Sequence, residues 1–345
     1  MLYAPVVIPT LNRDWHLKKC LDSLAANSVA GNTDIYISVD YPPSEKYAVG
    51  YEKVKDLLKT YDFSRFKSHH VLYQDKNLGP TGNSDLLVNM VGAISDYIIY
   101  TEDDNEFSPN YLYYMDKGFE EFRNDSSVVY LCGSSDTGWK FGEDANVMKS
   151  KLLSAYGVGF WFSRKVRFNE EGNNYLLDKK NWTYRNFRSL YKKNRVLFWI
   201  YITGILGSED GLNIKDRNKI IFCDSSTSIY MHYSDYVCVC PRLAKSRTFG
   251  NDGSGVNMPV MENNSKDVLD TADTFDYVCP EDFCFDDENY RKGDDIMYHE
   301  MSQVVNLRLR LFVAWLIALY ICITRSRSLP ILFRRCVRNI RSRFK

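Results

Sequence analysis

Tyr97-Ile-Ile-Tyr100, followed at once by Thr101-Glu102-Asp103-Asp104, is a four-residue apolar run that stops against three adjacent carboxylates. A short β-branched and aromatic run bounded in this way reads as a buried strand whose C-terminal end carries polar chemistry. The same grammar recurs upstream. Ala4-Pro-Val-Val-Ile8 leads into Pro9-Thr-Leu-Asn-Arg13, with the strand expected to stop at Pro9, and Asp34-Ile-Tyr-Ile-Ser-Val39 ends at Asp40. A further strand is expected from His70 to Tyr73. Between the strands, apolar residues repeat at helical spacing over Asp14 to Leu24 (Trp15, Leu17, Leu21, Leu24), Tyr51 to Leu58 and Asn83 to Ile94. The alternation predicts an α/β fold, a Rossmann-like, doubly wound and mostly parallel sheet. Ligands of such sheets lie outside the carboxyl ends of the strands. Thr10 to Arg13, Asp40 and Glu102 to Asp104 are therefore expected to converge on one polar pocket.

Further along, Ser127 to Leu131 reads as a strand, and Leu152 to Phe162 is rich in glycine and aromatics. Asp178 to Ile205 is basic, aromatic and helical in pattern, and leads to Gly207-Ser-Glu-Asp210. Arg247 to Asn257 has three glycines in eleven residues, the composition of a mobile lid. Residues 261–300 hold 13 acids against 3 bases, which suits a solvated excursion. The expected organisation is a catalytic domain over 1–260, an acidic linker over 261–306, and a basic helical tail over 307–345. Within the domain, 1–105 and 106–260 would form two halves, the second with the lid.

The chain has 345 residues, 44 basic and 44 acidic, with 45% apolar and 14% aromatic residues, a composition that excludes disordered and fibrous classes. Its zero net charge hides an asymmetry, because residues 307–345 carry ten bases and no acid. Leu311 to Ile323 is an uncharged stretch of 13 residues, short of the ~20 that a membrane span needs. Flanked by arginines 308, 310 and 325, it suits a helix lying on an anionic membrane surface. Packing into the domain is the alternative; nucleic acid is not an expected partner, since no recognition module is present. Nine cysteines show no paired C-x-x-C spacing, so neither a zinc site nor a disulfide framework is indicated. Cys238 and Cys240 would share one strand face as buried thiols, which fits a reducing compartment. A strand beginning within five residues of the start leaves no room for a signal peptide or N-terminal anchor. The expected location is cytoplasmic, peripheral on the inner face of the cell membrane.

Adjacent carboxylates on an extended loop can bind a hard divalent cation, Mg²⁺ or Mn²⁺, and leave positions open for phosphate oxygens. Such a cation would stabilise a diphosphate leaving group. The alternative is an acidic helix N-terminus, since Ser108-Pro-Asn-Tyr begins a helix soon after. Asp210, between Gly207 and Gly211, could act as a base if enclosed, or sit in a helix first turn capped by Ser208. His69, His70 and His232 lack a second ligand at metal-site spacing. Trp161 could stack on a sugar face or pack in the core.

Together, Val6-Val-Ile-Pro-Thr-Leu-Asn-Arg13, Asp40, Asn77-Leu-Gly79-x-x-x-Asn83 and Tyr100-Thr-Glu-Asp-Asp104 resemble the GT-A nucleotide-sugar glycosyltransferases, including glycosyltransferase family 2. Glu-Asp-Asp stands where that fold has its Asp-x-Asp motif. Gly157-x-Gly159-x-Trp161, Glu209-Asp210, Ser246-Arg-Thr-Phe-Gly250 and Gly255-Val-Asn257 look most like the inverting N-acetylglucosaminyltransferase I type. The resemblance runs over roughly residues 4–258, with the nucleotide implied to bind the 1–105 half and the acceptor the 106–260 half. It implies that Pro9, Thr10, Asn12, Arg13, Gly79, Asn83 and Arg247 bind the nucleotide sugar, with Thr10 and Arg13 along the base and diphosphate. It further implies that Asp40 accepts from uracil or ribose, that Glu102 and Asp103 lie on the ribose and sugar side, and that Asp104 ligates the metal. Gly159 and Trp161 would lie on the acceptor side, and Asp210 would deprotonate the acceptor hydroxyl. Eukaryotic members of that type carry two Asp followed by Trp where this chain has Glu209-Asp210-Gly211, which keeps Glu209 a candidate too.

The function implied is inverting, metal-dependent transfer of a hexosyl or N-acetylhexosaminyl group from a UDP-sugar to a glycan or lipid-linked acceptor, in surface polysaccharide assembly. Two rivals stand beside it. A sugar-nucleotide pyrophosphorylase should carry a glycine-rich loop after its first strand, and Pro9 to Arg13 has no glycine. A non-catalytic, membrane-bound glycan-binding protein would tolerate loss of Asp104 or Asp210, and both are present.

Overall fold

Residues 2–135, 139–205, 213–215, 219–254, 268–279 and 287–326 are described by a computed structural model. The first half alternates strand and helix in the expected order: β1 (Val6–Thr10), α1 (Asp14–Ala25), β2 (Asp34–Val39), α2 (Glu45–Thr60), β3 (Ser68–Tyr73), α3 (Gly79–Gly92) and β4 (Tyr97–Tyr100). Next come β5 (Asn105–Phe107), α4 (Tyr111–Glu121), β6 (Val128–Cys132), β7 (Val147–Ser150), β8 (Val158–Trp161), α5 (Phe162–Leu177), α6 (Tyr184–Lys193) and α7 (Arg195–Ile205). The rest comprises the hairpin β9 (Asn213–Lys215) and β10 (Lys219–Ile221), then α8 (Asp224–Tyr233), β11 (Val237–Pro241), β12 (Ser246–Thr248), α9 (Asp287–Val304) and α10 (Leu307–Thr324).

Eight strands form one sheet in the order β3-β2-β1-β4-β8-β6-β11-β7. The first four are parallel; β8 runs antiparallel between β4 and β6, and β7 is antiparallel to β11. Alternation along each strand decides which helices cover which face. Val6, Ile8, Ile35, Ile37 and Ile99 pack with Leu17, Leu21 and Leu24 of α1, Val54 of α2 and Met115 of α4. Val7, Ile98, Tyr130 and Phe160 pack with Leu87 and Val91 of α3, Phe168 of α5 and Phe198 of α7. Each such side chain withdrawn from water contributes about 1.5–3 kcal/mol, so both faces of the sheet are held by apolar burial.

β1 does not stop at Pro9. Val7 O accepts from Thr101 N on the β4 side and Thr10 O from Asp40 N on the β2 side, so alternation puts Pro9 toward β4. The β1–β4 ladder ends at Val7↔Tyr100, so the missing N–H of Pro9 interrupts nothing, and the strand carries Thr10 to the sheet's end.

The acidic stretch is largely exposed over residues 268–279, as expected, but it is also docked at several points. Phe275 and Tyr277 pack against Tyr114, and Tyr277 Oη donates to Tyr114 O at 2.8 Å. Asp270 pairs with the fully buried Lys245, Asp287 with Lys193, and Asp294 and Asp295 with Arg195. Four of the acids thus pair with three cations distant in sequence, which composition alone does not reveal.

Candidate functional site

A cavity of about 360 Å³ opens at the carboxyl ends of β1, β2 and β4, within the size range of small-ligand sites. Its wall includes Pro9, Thr10, Asn12, Arg13, Asp40, Gly79, Asn83 and the triplet Glu102, Asp103 and Asp104. These residues, scattered over 95 positions of sequence, meet because parallel strands present their C-terminal ends at one edge.

Arg13, the residue before α1, is the electrostatic centre. Its guanidinium donates to Asp103 through Nη2 and to Asp104 Oδ2 through Nη1 at 2.8 Å, while Thr10 Oγ1 donates to Asp103 Oδ2 at 2.6 Å. Burial alone would lower the Arg13 pKa, but Asp103 and Asp104 outweigh it and raise the value. Burial raises Asp103 despite that partner. Glu102 has no such cation: burial, then Asp104 and Asp103, push its carboxyl up to about 7. Two carboxylates thus hold one guanidinium, with Glu102 beside them at the cavity wall. These are hard oxygen donors with surplus negative charge.

Asp40 lines the cavity but serves another purpose than the one implied for it. Its Oδ1 accepts from the N–H groups of Tyr41 (2.9 Å) and Leu78 (2.8 Å), and its Oδ2 from Gly79 N–H (2.9 Å) and Asn77 Nδ2 (3.1 Å). With its four acceptor positions engaged, Asp40 anchors the start of α3 rather than awaiting a base or ribose. Asn83 is likewise committed: Oδ1 accepts from Ser38 Oγ at 2.5 Å, and Nδ2 donates to Ser38 O at 3.0 Å. It ties α3 to the end of β2.

The Ser246 to Gly250 segment forms a strap over the triplet. β12 pairs antiparallel with β5, Phe249 N donates to Asp104 O at 2.9 Å, and the Phe249 ring stacks on His16 at 5.4 Å with Trp15 edge-on at 5.5 Å. So the segment expected to be a mobile lid is, through residue 254, docked on α1 and β5; 255–257 lie outside the described residues. Arg247 does not line the cavity. Strand alternation turns it to Glu106, 2.8 Å away, and gives the cavity Thr248 instead. Gly250 passes so close that a Cβ there would stand 2.1 Å from Asp104 Oδ2. We expect Gly250→Ala to displace Asp104 and cut metal-dependent nucleotide affinity at least ~10-fold, about 1.4 kcal/mol, with the far-UV circular dichroism unchanged. Wild-type affinity in calorimetry would count against the strap's role.

Gly159 and Trp161 belong to the core and not to an acceptor surface. A Cβ on Gly159 would meet Phe119 at 2.9 Å, and Trp161 is 2% exposed, edge-on to Phe119 at 5.1 Å with the Arg164 guanidinium 3.9 Å over its ring. Every residue of β8 is buried, so both its faces are covered. Glu209 and Asp210 lie outside the described residues. His69 stacks on Phe63, His70 on Tyr36, and His232 Nε2 contacts Ser189 Oγ at 3.0 Å, all away from the cavity.

Sequence reasoning missed Tyr47, Ser84, Tyr100, Tyr156, Thr248, Asn251 and Ser254, which also line the cavity. Tyr100 carried a usable signal, since it is the last strand residue before the triplet; its hydroxyl is 3.1 Å from Ser84 Oγ. Cys238 and Cys240 are buried side by side as expected, but Cys132 joins them, the three thiols lying within 4.8 Å. That neighbour comes from β6 and has no local signature.

Residues 6–197, more than half of the chain, match Glycosyl transferase family 2. No curated protein matches the chain. Among solved structures it is similar to Staphylococcus aureus TarS, at 13% identity over 50% of this chain and 30% of that one, with a TM-score of 0.32. It is also similar to a Pyrobaculum calidifontis mannosyltransferase solved with GDP-Man and Mn²⁺, at 9% identity over 68% and 70% of the two chains, TM-score 0.38. A third likeness is to mouse xyloside xylosyltransferase 1, at 13% identity over 48% and 69%, TM-score 0.29. The chain thus spans less than a third of TarS.

Proposed function

The chain belongs to glycosyl transferase family 2, a glycosyltransferase of GT-A fold, and from that premise we propose that it transfers a sugar from a UDP-sugar, with inversion, to a glycan or lipid-linked acceptor. The observation that carries the reading is the pair Asp103 and Asp104 on the single guanidinium of Arg13, with Glu102 beside them in the cavity wall at the ends of β1 and β4. Mn²⁺ or Mg²⁺, held there by Asp104 with Glu102 and Asp103 beside it, would neutralise the departing diphosphate.

The chain's own groups supply the rest. Thr10 and Arg13 fix Asp103, so the triplet is ordered before a ligand arrives and little reorganisation is left to binding. Arg13, at the cavity wall, offers phosphate oxygens the N–H groups it does not use on Asp103 and Asp104. The backbone of Asn77 to Gly79, held by Asp40, shapes the nucleotide side, and the strap at Thr248 to Gly250 closes the opposite side. The acceptor hydroxyl would be deprotonated by Asp210, or by Glu209 beside it.

The stereochemistry tests this assignment. An α-linked UDP-sugar should give a β-linked product, seen in the anomeric proton coupling by NMR. A product that keeps the donor's configuration would remove the general-base role from Asp210 and Glu209.

A further inference from the structure

α10 carries two apolar stripes. Leu307, Leu311, Ala314, Ala318 and Ile321 are buried and join the core cluster that includes Phe198 and Ile202 of α7. Leu309, Phe312, Val313, Leu316, Leu319 and Ile323 are all exposed, Ile323 by 82% and Phe312 by 61%. At 3.6 residues per turn, these six fall within an arc of about 120° opposite the buried stripe. No described element covers them. An unpartnered run of large apolar side chains is costly in water and marks a contact surface.

What surrounds the stripe identifies its occupant. Residues 179–195 contain seven bases and no acid. Of these, Lys193 and Arg195 are taken up by Asp287, Asp294 and Asp295 of α9. Lys179, Lys180, Arg185, Arg188 and Lys192 are exposed. α6, which bears the last three, lies directly against α10: Tyr184 and Tyr191 contact the Trp315 ring at centroid distances of 5.9 and 5.1 Å. At the far end, Arg325 Nη1 donates to Lys179 O at 3.1 Å and also to Trp182 O, which brings Lys179 and Lys180 beside the end of α10. The sequence then adds seven more bases after Ser326. Apolar side chains ringed by exposed cations with no ion-pair partner among the described residues, and by Tyr and Trp, match a bilayer surface with anionic headgroups, the apolar stripe meeting acyl chains and the cations meeting phosphates.

We propose that the outward face of α10 and the basic face of α6 form one docking surface for an anionic membrane, on which α10 lies in the plane of the interface and does not cross it. Crossing would strip Leu307, Leu311, Ala314, Ala318 and Ile321 from the domain core, to which they are fastened along the whole helix. The surface is built from residues outside the nucleotide cavity, so the inference does not depend on the transferase reading. A polysaccharide or lipid-linked acceptor at that membrane would then reach the domain from a fixed side.

The test is co-flotation of the full chain with vesicles of phosphatidylcholine alone or with 30% phosphatidylglycerol. The expected result is binding to the anionic vesicles at least tenfold above the neutral ones, reduced by salt. Leu316→Glu with Ile323→Glu should abolish it, and Arg185→Glu with Arg188→Glu should weaken it at least fivefold. All four positions are exposed, and thermal melts and UDP binding of the variants serve as controls for folding. No flotation of the wild-type chain, or charge reversal on α6 without effect, would overturn the proposal. So would a stable dimer in light scattering that Leu316→Glu dissociates while vesicle binding is absent, since the stripe would then belong to a second copy. Protection of the tail from added protease by sealed vesicles would show a crossing helix and overturn the in-plane geometry.

Discussion

Replacing Asp104 with Asn is expected to lower kcat/KM for sugar transfer by at least ~10³-fold, about 4 kcal/mol of transition-state stabilisation. Asn keeps the shape of the side chain and can still accept from Arg13 Nη1, so the strap, the Phe249 N–H to Asp104 O bond and the fold should persist. What disappears is one of the two anionic charges that hold Arg13. Nucleotide binding should lose its dependence on Mn²⁺, and a panel of UDP-sugars with the variant and wild-type chains would show it. Undiminished transfer by Asp104→Asn would remove the metal-ligand role from this carboxylate, whereas no transfer by the wild-type chain from any donor would return it to the glycan-binding reading.

Arg13→Ala should produce the largest loss of stability of any substitution at this site, about 3–5 kcal/mol, because it leaves Asp103 and Asp104 buried without their cation. Truncation of one partner in a buried pair costs more than the pair contributes, since the remaining charge still has to be desolvated. The sign of the pH effect follows. Burial already holds the folded-state pKa of Asp103 above its unfolded value, and without Arg13 nothing offsets that, so the folded state binds more protons between the two and the loss grows as pH rises through that window. Below the unfolded carboxylate range both states are protonated and the variant should recover. Urea unfolding at pH 7 and at about pH 2.5, below the unfolded Asp range, would measure both statements, and added Mn²⁺ should restore part of the loss at pH 7. An Arg13→Ala chain as stable as wild type would mean that the triplet is solvated, contrary to the geometry.

The route from sequence to site worked where physics is local. Apolar runs such as Val6 to Ile8 and Tyr97 to Tyr100 can only be buried strands, helical periodicity fills the gaps between them, and a parallel sheet brings their polar ends together. Thr10, Arg13 and Asp103 are hydrogen-bonded to one another for that reason. The route failed where the answer depends on partners remote in sequence. Asp40 looked available until the N–H groups of Leu78 and Gly79 closed on it, and Trp161 looked like a platform until Phe119 and Arg164 covered it. Arg247 was misplaced by one position, since alternation in β12 gives the cavity Thr248. The acidic stretch read as solvated because its cations, Lys245, Lys193 and Arg195, come from other elements. The apolar tail was legible as amphiphilic but not as two-faced, because residues such as Leu311 and Phe312 differ only in what lies opposite them.

If the triplet beside Arg13 forms a metal-dependent nucleotide-sugar site, nucleotide binding must respond to both the metal and Asp104. Titration calorimetry of the full chain with UDP, GDP and CMP, each with and without Mn²⁺, tests it without knowledge of the acceptor. The account predicts micromolar UDP binding that requires Mn²⁺, falls at least tenfold in Asp104→Asn, and is weaker for GDP and CMP. Equal binding of UDP with and without Mn²⁺, or no nucleotide binding at all, would contradict it.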